Sequence, residues 1–136
     1  MKIILVDMSA TLIHHGHIRL LKKANNLGSV TVALTTDEEI LKHKGYFPEL
    51  SFQERKEILE SIKYIDRVIP SPWKLDLDFF KNSGADILIH GDDNKNDIPE
   101  KYLKIFKRTE GISSSIIRKR VMKIVSQKNN IKEINS

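Results

Sequence analysis

The sequence lacks cysteine, and it also lacks any long hydrophobic run. Without cysteine the chain has no disulfide framework, no thiolate nucleophile and no cysteine-based zinc site. The first apolar run, residues 3–6, is too short for the core of a signal peptide and ends at Asp7. These absences lead us to expect a cytoplasmic protein with no membrane partner.

Aromatic residues are also few, at 7% of the chain, and no RNA-binding motif is visible. We therefore expect no nucleic-acid partner. The net charge of +5 and the pI of about 9.4 still favour an anionic ligand, either a nucleotide or a nucleic acid. A basic module that binds nucleic acid without catalysis thus stays open as an alternative.

The 136 residues fit one domain and contain no internal repeat and no low-complexity linker. Apolar runs alternate with helical patterns, which is typical of a parallel sheet with helices on both faces. We predict an α/β domain over residues 1–125 and a polar, frayed C-terminal tail over residues 126–136. Strands are predicted at residues 2–6, 30–34, 67–69, 86–90 and 102–106, and helices at residues 16–26, 51–64, 75–82 and from 113, with a short one starting at residue 36.

Ligands of such sheets bind outside the carboxyl ends of the strands. Four segments follow predicted strands directly, namely residues 9–17, 35–46, 90–94 and 108–115. We therefore expect these four segments to converge on one rim of the sheet.

The first of these segments contains His14-x-Gly16-His17 at a strand-to-helix junction. Backbone N–H groups and the helix dipole favour anions at a helix N-terminus, and glycine allows phosphates to approach closely. Two imidazoles there can donate hydrogen bonds to charge that develops on a phosphorus centre. A metal site is the competing interpretation. His15 lies between them in the sequence, and we do not expect its imidazole to contact the phosphate directly.

A second polyphosphate signal is the run from Arg108 to Ser115. Its three serines, Ser113 to Ser115, offer hydroxyls and free N–H groups at the start of a helix. Arg108 adds a permanent charge that can bind an anion through two hydrogen bonds. An ordinary helix cap beside a surface arginine is the alternative.

Cationic side chains elsewhere suit an anionic substrate. Lys42 and Lys44 fall in a predicted loop with glycine and aromatic residues, from which a lysine can fold over a triphosphate. Arg55 lies near the start of a predicted helix, where a cation opposes the dipole, and this misfit indicates an anion contact. Trp73 and Lys74 follow a Pro-x-Pro turn and are candidates for an acceptor pocket.

Carboxylates follow the predicted fourth strand in Gly91-Asp92-Asp93. They can bind Mg²⁺, a ribose hydroxyl or a cationic acceptor group. They can equally cap the next turn.

Together these residues resemble the cytidylyltransferase family, over roughly residues 1–120. The segment His14-x-Gly16-His17 is similar to the HxGH signature of that family, and residues 108–115, RTEGISSS, are similar to its second signature. HxGH alone is shared with adenylyltransferases, so an adenylyltransferase stays an alternative. The resemblance implies a Rossmann-like nucleotidyltransferase fold and transfer of CMP from CTP to a small phosphonate or phosphorylated alcohol, with release of pyrophosphate.

The resemblance also implies roles for individual residues, CTP and an anionic acceptor as partners, Mg²⁺ held mainly by the CTP phosphates, and a homodimer. The catalytic residues would be His14, His17, Lys44 and Arg108. The acceptor-binding residues would be Lys42, Arg55, Lys74 and Asp93. The CTP-binding residues would be Ser9, Ala10, His14, Gly16, His17, Lys44, Asp92, Arg108, Thr109, Glu110, Gly111, Ile112, Ser113, Ser114 and Ser115.

Two positions depart from the pattern of the family. Thr11 replaces an aspartate of the segment before HxGH, and Asn94 replaces a tryptophan that often follows GDD. The form of residues 8–17 is closest to domains of phosphonate pathways, whereas the remaining template is closest to the glycerol-3-phosphate branch. Glycerol 3-phosphate, aminoethylphosphonate, hydroxyalkylphosphonates and phosphocholine all stay open as acceptors, and so does a degenerate member that only binds nucleotide.

Overall fold

The computed structural model describes residues 1–91 and 96–135, with side chains up to residue 129. Five parallel strands form one sheet in the order β3-β2-β1-β4-β5. The strands are β1 (Ile3–Met8), β2 (Ser29–Thr35), β3 (Arg67–Ser71), β4 (Ile87–Gly91) and β5 (Leu103–Phe106). The helices are α1 (His15–Asn25), α2 (Asp37–Lys44), α3 (Phe52–Glu60), α4 (Leu77–Asn82) and α5 (Ser114–Asn135), with a 3₁₀ turn at Glu100–Tyr102.

Strands β1 and β2 are nearly continuous apolar runs, because helices cover both faces of the sheet. Residues of β1 and β2 supply much of the core. One core cluster lies under α1 and α3 and includes Val6, Leu21 and Leu59. The second lies under α4 and includes Leu5, Phe80 and Leu88. The predicted α/β architecture with helices on both faces is therefore confirmed.

The strand order places a topological switch between β1 and β4. The chain runs from β1 outward to β3, then returns to β4 on the other side of β1. Val6 of β1 pairs with Ile89 of β4, so the carboxyl ends of these two strands lie side by side. Such a switch point opens a crevice beyond the strand ends, where ligands bind.

The element boundaries differ from the predictions at several places. β3 continues through Pro70 to Ser71, which an edge strand tolerates because the missing N–H of proline need not face a neighbour. α3 has the predicted capping box between Ser51 and Glu54, but it ends at Glu60 rather than residue 64. α4 begins two residues later than predicted, since Asp76 caps it by accepting from the N–H of Phe79.

The predicted loop around Lys42 and Lys44 is wrong. Both lysines belong to helix α2, which Thr36 caps at its start. Three acidic residues in its first turn and Lys42, His43 and Lys44 in its last complement the helix dipole. Gly45 ends the helix in the left-handed conformation, with φ of +80°.

The last helix also differs from the prediction. The backbone of the expected frayed tail is helical through Asn135, and the predicted boundary after residue 125 falls inside α5. Of its predicted apolar face, Ile116 and Ile117 are half-buried, whereas Val121 is 53% exposed. The homodimer expected from the family resemblance stays a prediction. Among the described residues, no helix is both long enough and apolar enough to span a membrane.

Candidate active site

A cleft of about 510 Å³ opens at the carboxyl ends of the strands. Its walls include residues from each of the four segments that were expected to converge, so far as the structure describes them. The prediction of one shared rim is therefore confirmed for these residues. The predicted site residues that line the cleft are Ser9, Ala10, His14, Gly16, His17, Lys44, Trp73, Lys74, Arg108, Thr109, Ile112, Ser113, Ser114 and Ser115.

His14 and His17 form a capping box at the start of α1. The Nδ1 atom of His14 accepts from the N–H of Gly16 at 3.1 Å, and the Nδ1 atom of His17 accepts from the N–H of His14 at 3.1 Å. A ring nitrogen that accepts carries no proton, so each neutral imidazole has its proton on Nε2. The local backbone thus presets both rings, whose centroids are 4.0 Å apart, as donors to a ligand.

Both imidazoles are kept neutral by their surroundings. Burial first, and then the neighbouring His14 and Arg108, lower the pKa of His17 to about 4. The pKa of His14 is also lowered, by burial and then by His15 and Arg108. At neutral pH the two rings therefore donate hydrogen bonds without carrying charge. His15 is exposed and does not line the cleft.

Two backbone positions let the chain pass close to this site. A Cβ atom on Gly16 would lie 2.9 Å from Cε1 of His14 and 3.2 Å from Cγ2 of Ile112, so any other residue would displace the imidazole. Ala10 has φ of 45°, the left-handed region that non-glycine residues rarely adopt. The turn between β1 and α1 is therefore tightly fitted around His14.

The N-terminus of α5 is fastened to the same turn. The Ser114 hydroxyl donates to the carbonyl of Leu12 at 3.2 Å and accepts from its N–H at 3.3 Å. Ser113 accepts from the N–H of Ile116 at 3.1 Å, as a cap does. These contacts bring Ser113 to Ser115 beside His14 and His17. We call the group formed by His14, Gly16, His17, Arg108 and Ser113 to Ser115 the α1 side of the cleft.

Glu110 and Gly111 are exceptions within the second signature, because neither lines the cleft. Glu110 pairs with Lys107 at 3.2 Å on the exposed surface. Gly111 has φ of +77°, which fits the turn that leads into α5. Their predicted contact with nucleotide stays a prediction.

The opposite side of the cleft is formed by the loop before α4 and the end of α2. Trp73 and Lys74 line it together with Lys44, whose Nζ lies 5.6 Å from the centroid of the Trp73 indole ring. We call this group the α4 side. Lys42 is exposed on α2 and does not line the cleft, because the helix turns it away from Lys44. Its predicted contact with the acceptor stays a prediction.

Arg55 is the other predicted acceptor ligand that the cleft excludes. Its side chain is fully buried, and Nη2 donates to Asp37 Oδ1 at 2.6 Å. Nη1 donates to the carbonyls of Ser9 and Thr35 at 2.7 and 2.9 Å. The misfit with the helix dipole indicated an anion contact correctly, but the anion is an internal carboxylate. Arg55 acts on the cleft by holding the backbone at Ser9 and Thr35, which both line it.

Among the lining residues that were not predicted as site residues, three form a polar cluster. Asp7 Oδ1 contacts His90 Nδ1, and Asn96 Nδ2 donates to Asp7 Oδ2 at 2.8 Å. Asp7 and His90 share strand faces with Leu5 and Leu88, which belong to the core under α4, so this cluster lies on the α4 side. The only signal in the sequence was a polar residue at the carboxyl end of each strand. The predicted Asp92, Asp93 and Asn94 lie outside the described residues.

Thr11 is buried and faces the last helix rather than open solvent. Its hydroxyl accepts from Arg118 Nη2 at 2.8 Å. Arg118 also binds the Glu49 carboxylate through two nitrogens, Nε at 2.7 Å and Nη2 at 2.8 Å. This contact lowers the pKa of Glu49. Helix α5, the turn after β1 and the loop before α3 are thereby joined behind the cleft.

Known proteins resemble this chain in sequence and in fold. A family model described as cytidylyltransferase-like matches residues 9–120. The chain belongs to the cytidylyltransferase-like family. Glycerol-3-phosphate cytidylyltransferase of Staphylococcus aureus is 37% identical over 125 residues, which cover 87% of this chain and 93% of that protein. The chain is therefore a nucleotidyltransferase.

Two further matches cover less of the other protein or have a lower sequence identity. Ethanolamine-phosphate cytidylyltransferase of Dictyostelium discoideum is 34% identical over 122 residues, which are 81% of this chain but 34% of that protein. The lipopolysaccharide core biosynthesis protein of Thermoplasma volcanium has a solved structure with a TM-score of 0.65 at 21% identity, covering 80% of this chain and 97% of that one. That likeness confirms the fold alone.

Proposed function

We propose that the chain transfers CMP from CTP to a small phosphorylated alcohol and releases pyrophosphate. The observation that carries the proposal is the capping box of His14 and His17, because it leaves two neutral Nε2–H donors in the cleft. Neutral donors suit phosphate oxygens, whose charge grows as the α-phosphorus is attacked. The cytidylyltransferases among the relatives support CTP as the nucleotide.

The α1 side would hold the triphosphate. Helix α1 directs its N-terminus and dipole at the cleft, and α5 does the same beside Ser113 to Ser115. Arg108 adds a charge that does not depend on pH. We propose that His14 and His17 donate to oxygens of the α-phosphate and that the serines and Arg108 bind the β and γ phosphates.

The chemical step needs no nucleophile from the protein. An oxygen of the acceptor phosphate, already ionised at neutral pH, attacks the α-phosphorus in line, and the bond to the pyrophosphate oxygen breaks. The work of the protein is then to orient the two substrates and to stabilise the transferred charge. Lys44 reaches the cleft from the α4 side and is placed to neutralise that charge.

Mg²⁺ fits this cleft best as an ion that arrives on the nucleotide. Asp7 is the carboxylate among the described lining residues, and its two oxygens already contact His90 and Asn96. Bound to the triphosphate, Mg²⁺ would screen its negative charge and that of the leaving pyrophosphate. The cationic and N–H groups of the cleft then bind the phosphate oxygens that remain exposed.

The α4 side would hold the acceptor. Lys44 and Lys74 supply two cations for its phosphate group, and the Trp73 ring gives an apolar surface beside them. Glycerol 3-phosphate and ethanolamine phosphate are the acceptors that the names of the relatives support. A phosphonate offers the same anionic oxygens. Because residues 8–17 resemble domains of phosphonate pathways, we propose phosphonates as a second class of acceptor.

The test is pyrophosphate release with CTP and Mg²⁺ across a panel of acceptors. The panel contains glycerol 3-phosphate, phosphoethanolamine, phosphocholine, 2-aminoethylphosphonate and hydroxymethylphosphonate, with ATP in place of CTP as the nucleotide control. We expect turnover with CTP and one phosphorylated alcohol. Turnover only with a phosphonate would support this second class of acceptor, and turnover with ATP instead of CTP would contradict the nucleotide assignment.

If no acceptor of the panel gives turnover, a second measurement is needed. If calorimetry then shows CTP binding, the acceptor lies outside the panel or the chain binds nucleotide without transfer. Silence without CTP binding would contradict the whole proposal. Salt-dependent binding of random oligonucleotides, without any transfer, would favour the nucleic-acid module instead.

A further inference from the structure

The last turn of α2 is held against the cleft by an aromatic stack. The imidazole of His43 lies parallel to the indole of Trp73, with ring centroids 5.1 Å apart and an angle of 9° between the planes. Stacked pairs at this separation contribute more than the burial of their surface alone. The stack joins α2 to the loop before α4, two elements that are 30 residues apart in sequence.

A second pair of contacts reinforces the same junction. Glu39, one helical turn before His43, accepts from the backbone N–H of Trp73 at 3.1 Å. The other carboxylate oxygen of Glu39 lies 3.9 Å from Nε2 of His43. The backbone and the ring of Trp73 are therefore both held by residues of α2.

Lys44 follows His43 directly and is the last residue of α2. Helix α2 has eight residues, of which Ile40 is buried. Short helices fray at their ends unless tertiary contacts hold them. After Lys44 the chain turns away through the left-handed Gly45. The position of the Lys44 ammonium therefore depends on what fixes this last turn.

We infer that His43 is a positioning residue, whose stack on Trp73 holds the last turn of α2 so that Lys44 stays in the cleft. The inference rests on the proposed function, in which Lys44 neutralises charge during transfer. His43 itself does not touch the substrates. Its loss is expected to reduce turnover through Lys44, because a small displacement of a catalytic group costs much of its effect.

A double-mutant cycle on kcat tests the kinetic part. In the unsubstituted background, His43→Ala should lower kcat about tenfold or more while the KM for CTP stays unchanged. His43→Phe should restore most of the loss, because it keeps an aromatic ring on Trp73. In a Lys44→Ala background, His43→Ala should have no further effect. Glu38→Gln, an exposed change on the same helix, is the matched control.

The stack has a readout that does not require activity. Trp73 is the single tryptophan of the chain, so fluorescence excited at wavelengths that tyrosine does not absorb reports on this ring alone. We expect His43→Ala to shift the emission to longer wavelength and to increase quenching by acrylamide, whereas His43→Phe should change neither. Unchanged fluorescence in His43→Ala would overturn the stack in solution.

The two readouts separate the possible failures. A normal kcat in His43→Ala, or an equal loss in the Lys44→Ala background, would overturn the positioning role even if the stack exists. Loss of turnover in His43→Phe as large as in His43→Ala would also overturn it. The absence of both turnover and CTP binding in the unsubstituted protein would contradict the proposed function, and the kinetic role of His43 with it, while the fluorescence result would still decide the stack.

Discussion

The two sides of the cleft are built in different ways. On the α1 side, His14 and His17 are oriented by backbone groups within three residues of each other. On the α4 side, Lys44, Lys74 and His90 come from three distant segments, and Lys44 and His90 contact the side chains of Trp73 and Asp7. The α1 side is therefore set by local sequence, whereas the α4 side depends on the packing of the whole sheet. We expect the first to govern the nucleotide, and the second to govern the acceptor and to supply Lys44 to the chemical step.

The largest expected effect comes from removing the imidazole donors of the α1 side. His14→Asn and His17→Asn should each lower kcat by about 10²- to 10³-fold, the usual effect of losing one preorganised donor. Asparagine is a good N-cap residue, so His14→Asn keeps an acceptor for the helix. Thermal unfolding should therefore change little in that variant. Near-normal turnover of both variants would remove the assigned role of the α1 side.

A similarly large effect on stability is expected from the buried Arg55. Arg55→Met should lower the free energy of unfolding by about 3–5 kcal/mol, because it leaves the carbonyls of Ser9 and Thr35 and the Asp37 carboxylate without their donor. Urea unfolding measures the change. Arg67→Met, an exposed arginine on β3, is the control and should change stability by less than about 0.5 kcal/mol. Equal losses in both variants would mean that Arg55 has no special structural role.

A smaller pair of changes separates the two sides directly. Arg108→Ala should weaken CTP binding by about tenfold or more, the loss of one charge-assisted contact, with little change in the KM of the acceptor. Lys74→Ala should raise the KM of the acceptor and leave CTP affinity unchanged. Calorimetry with CTP and initial rates against acceptor concentration measure these effects. If both variants weaken CTP binding equally, the division between the two sides is wrong.

A pH dependence of stability also originates on the α1 side. The folded pKa of His17, about 4, lies below its ordinary value of 6.5. The unfolded chain therefore binds the proton more readily, and the stabilising contribution is complete above pH 6.5 and lost as the pH falls toward 4. Urea midpoints measured between pH 8 and 4 should fall more steeply for the unsubstituted protein than for His17→Asn. Parallel curves would show that His17 is not buried as described.

The features that could be predicted from the sequence are those that neighbouring residues determine. The alternation of strands and helices, the Ser51 capping box and the placement of His14-x-Gly16-His17 at a helix start all follow from neighbouring residues. The convergence of the four segments followed as well, because parallel strands place their carboxyl ends on one edge.

Only the tertiary structure decided which charged residues enter the cleft. The sequence alone does not distinguish Lys42 from Lys44. Because residues two positions apart lie on opposite sides of a helix, Lys44 lines the cleft and Lys42 is exposed at the surface. Arg55 finds its carboxylate 18 residues away, and Asp7 meets His90 from 83 residues away. Such pairings depend on strand order and helix rotation, which are set by the packing of both core clusters together. The local sequence thus determined the imidazole donors for phosphate, His14 and His17. The tertiary structure determined which charged side chains lie around them in the cleft.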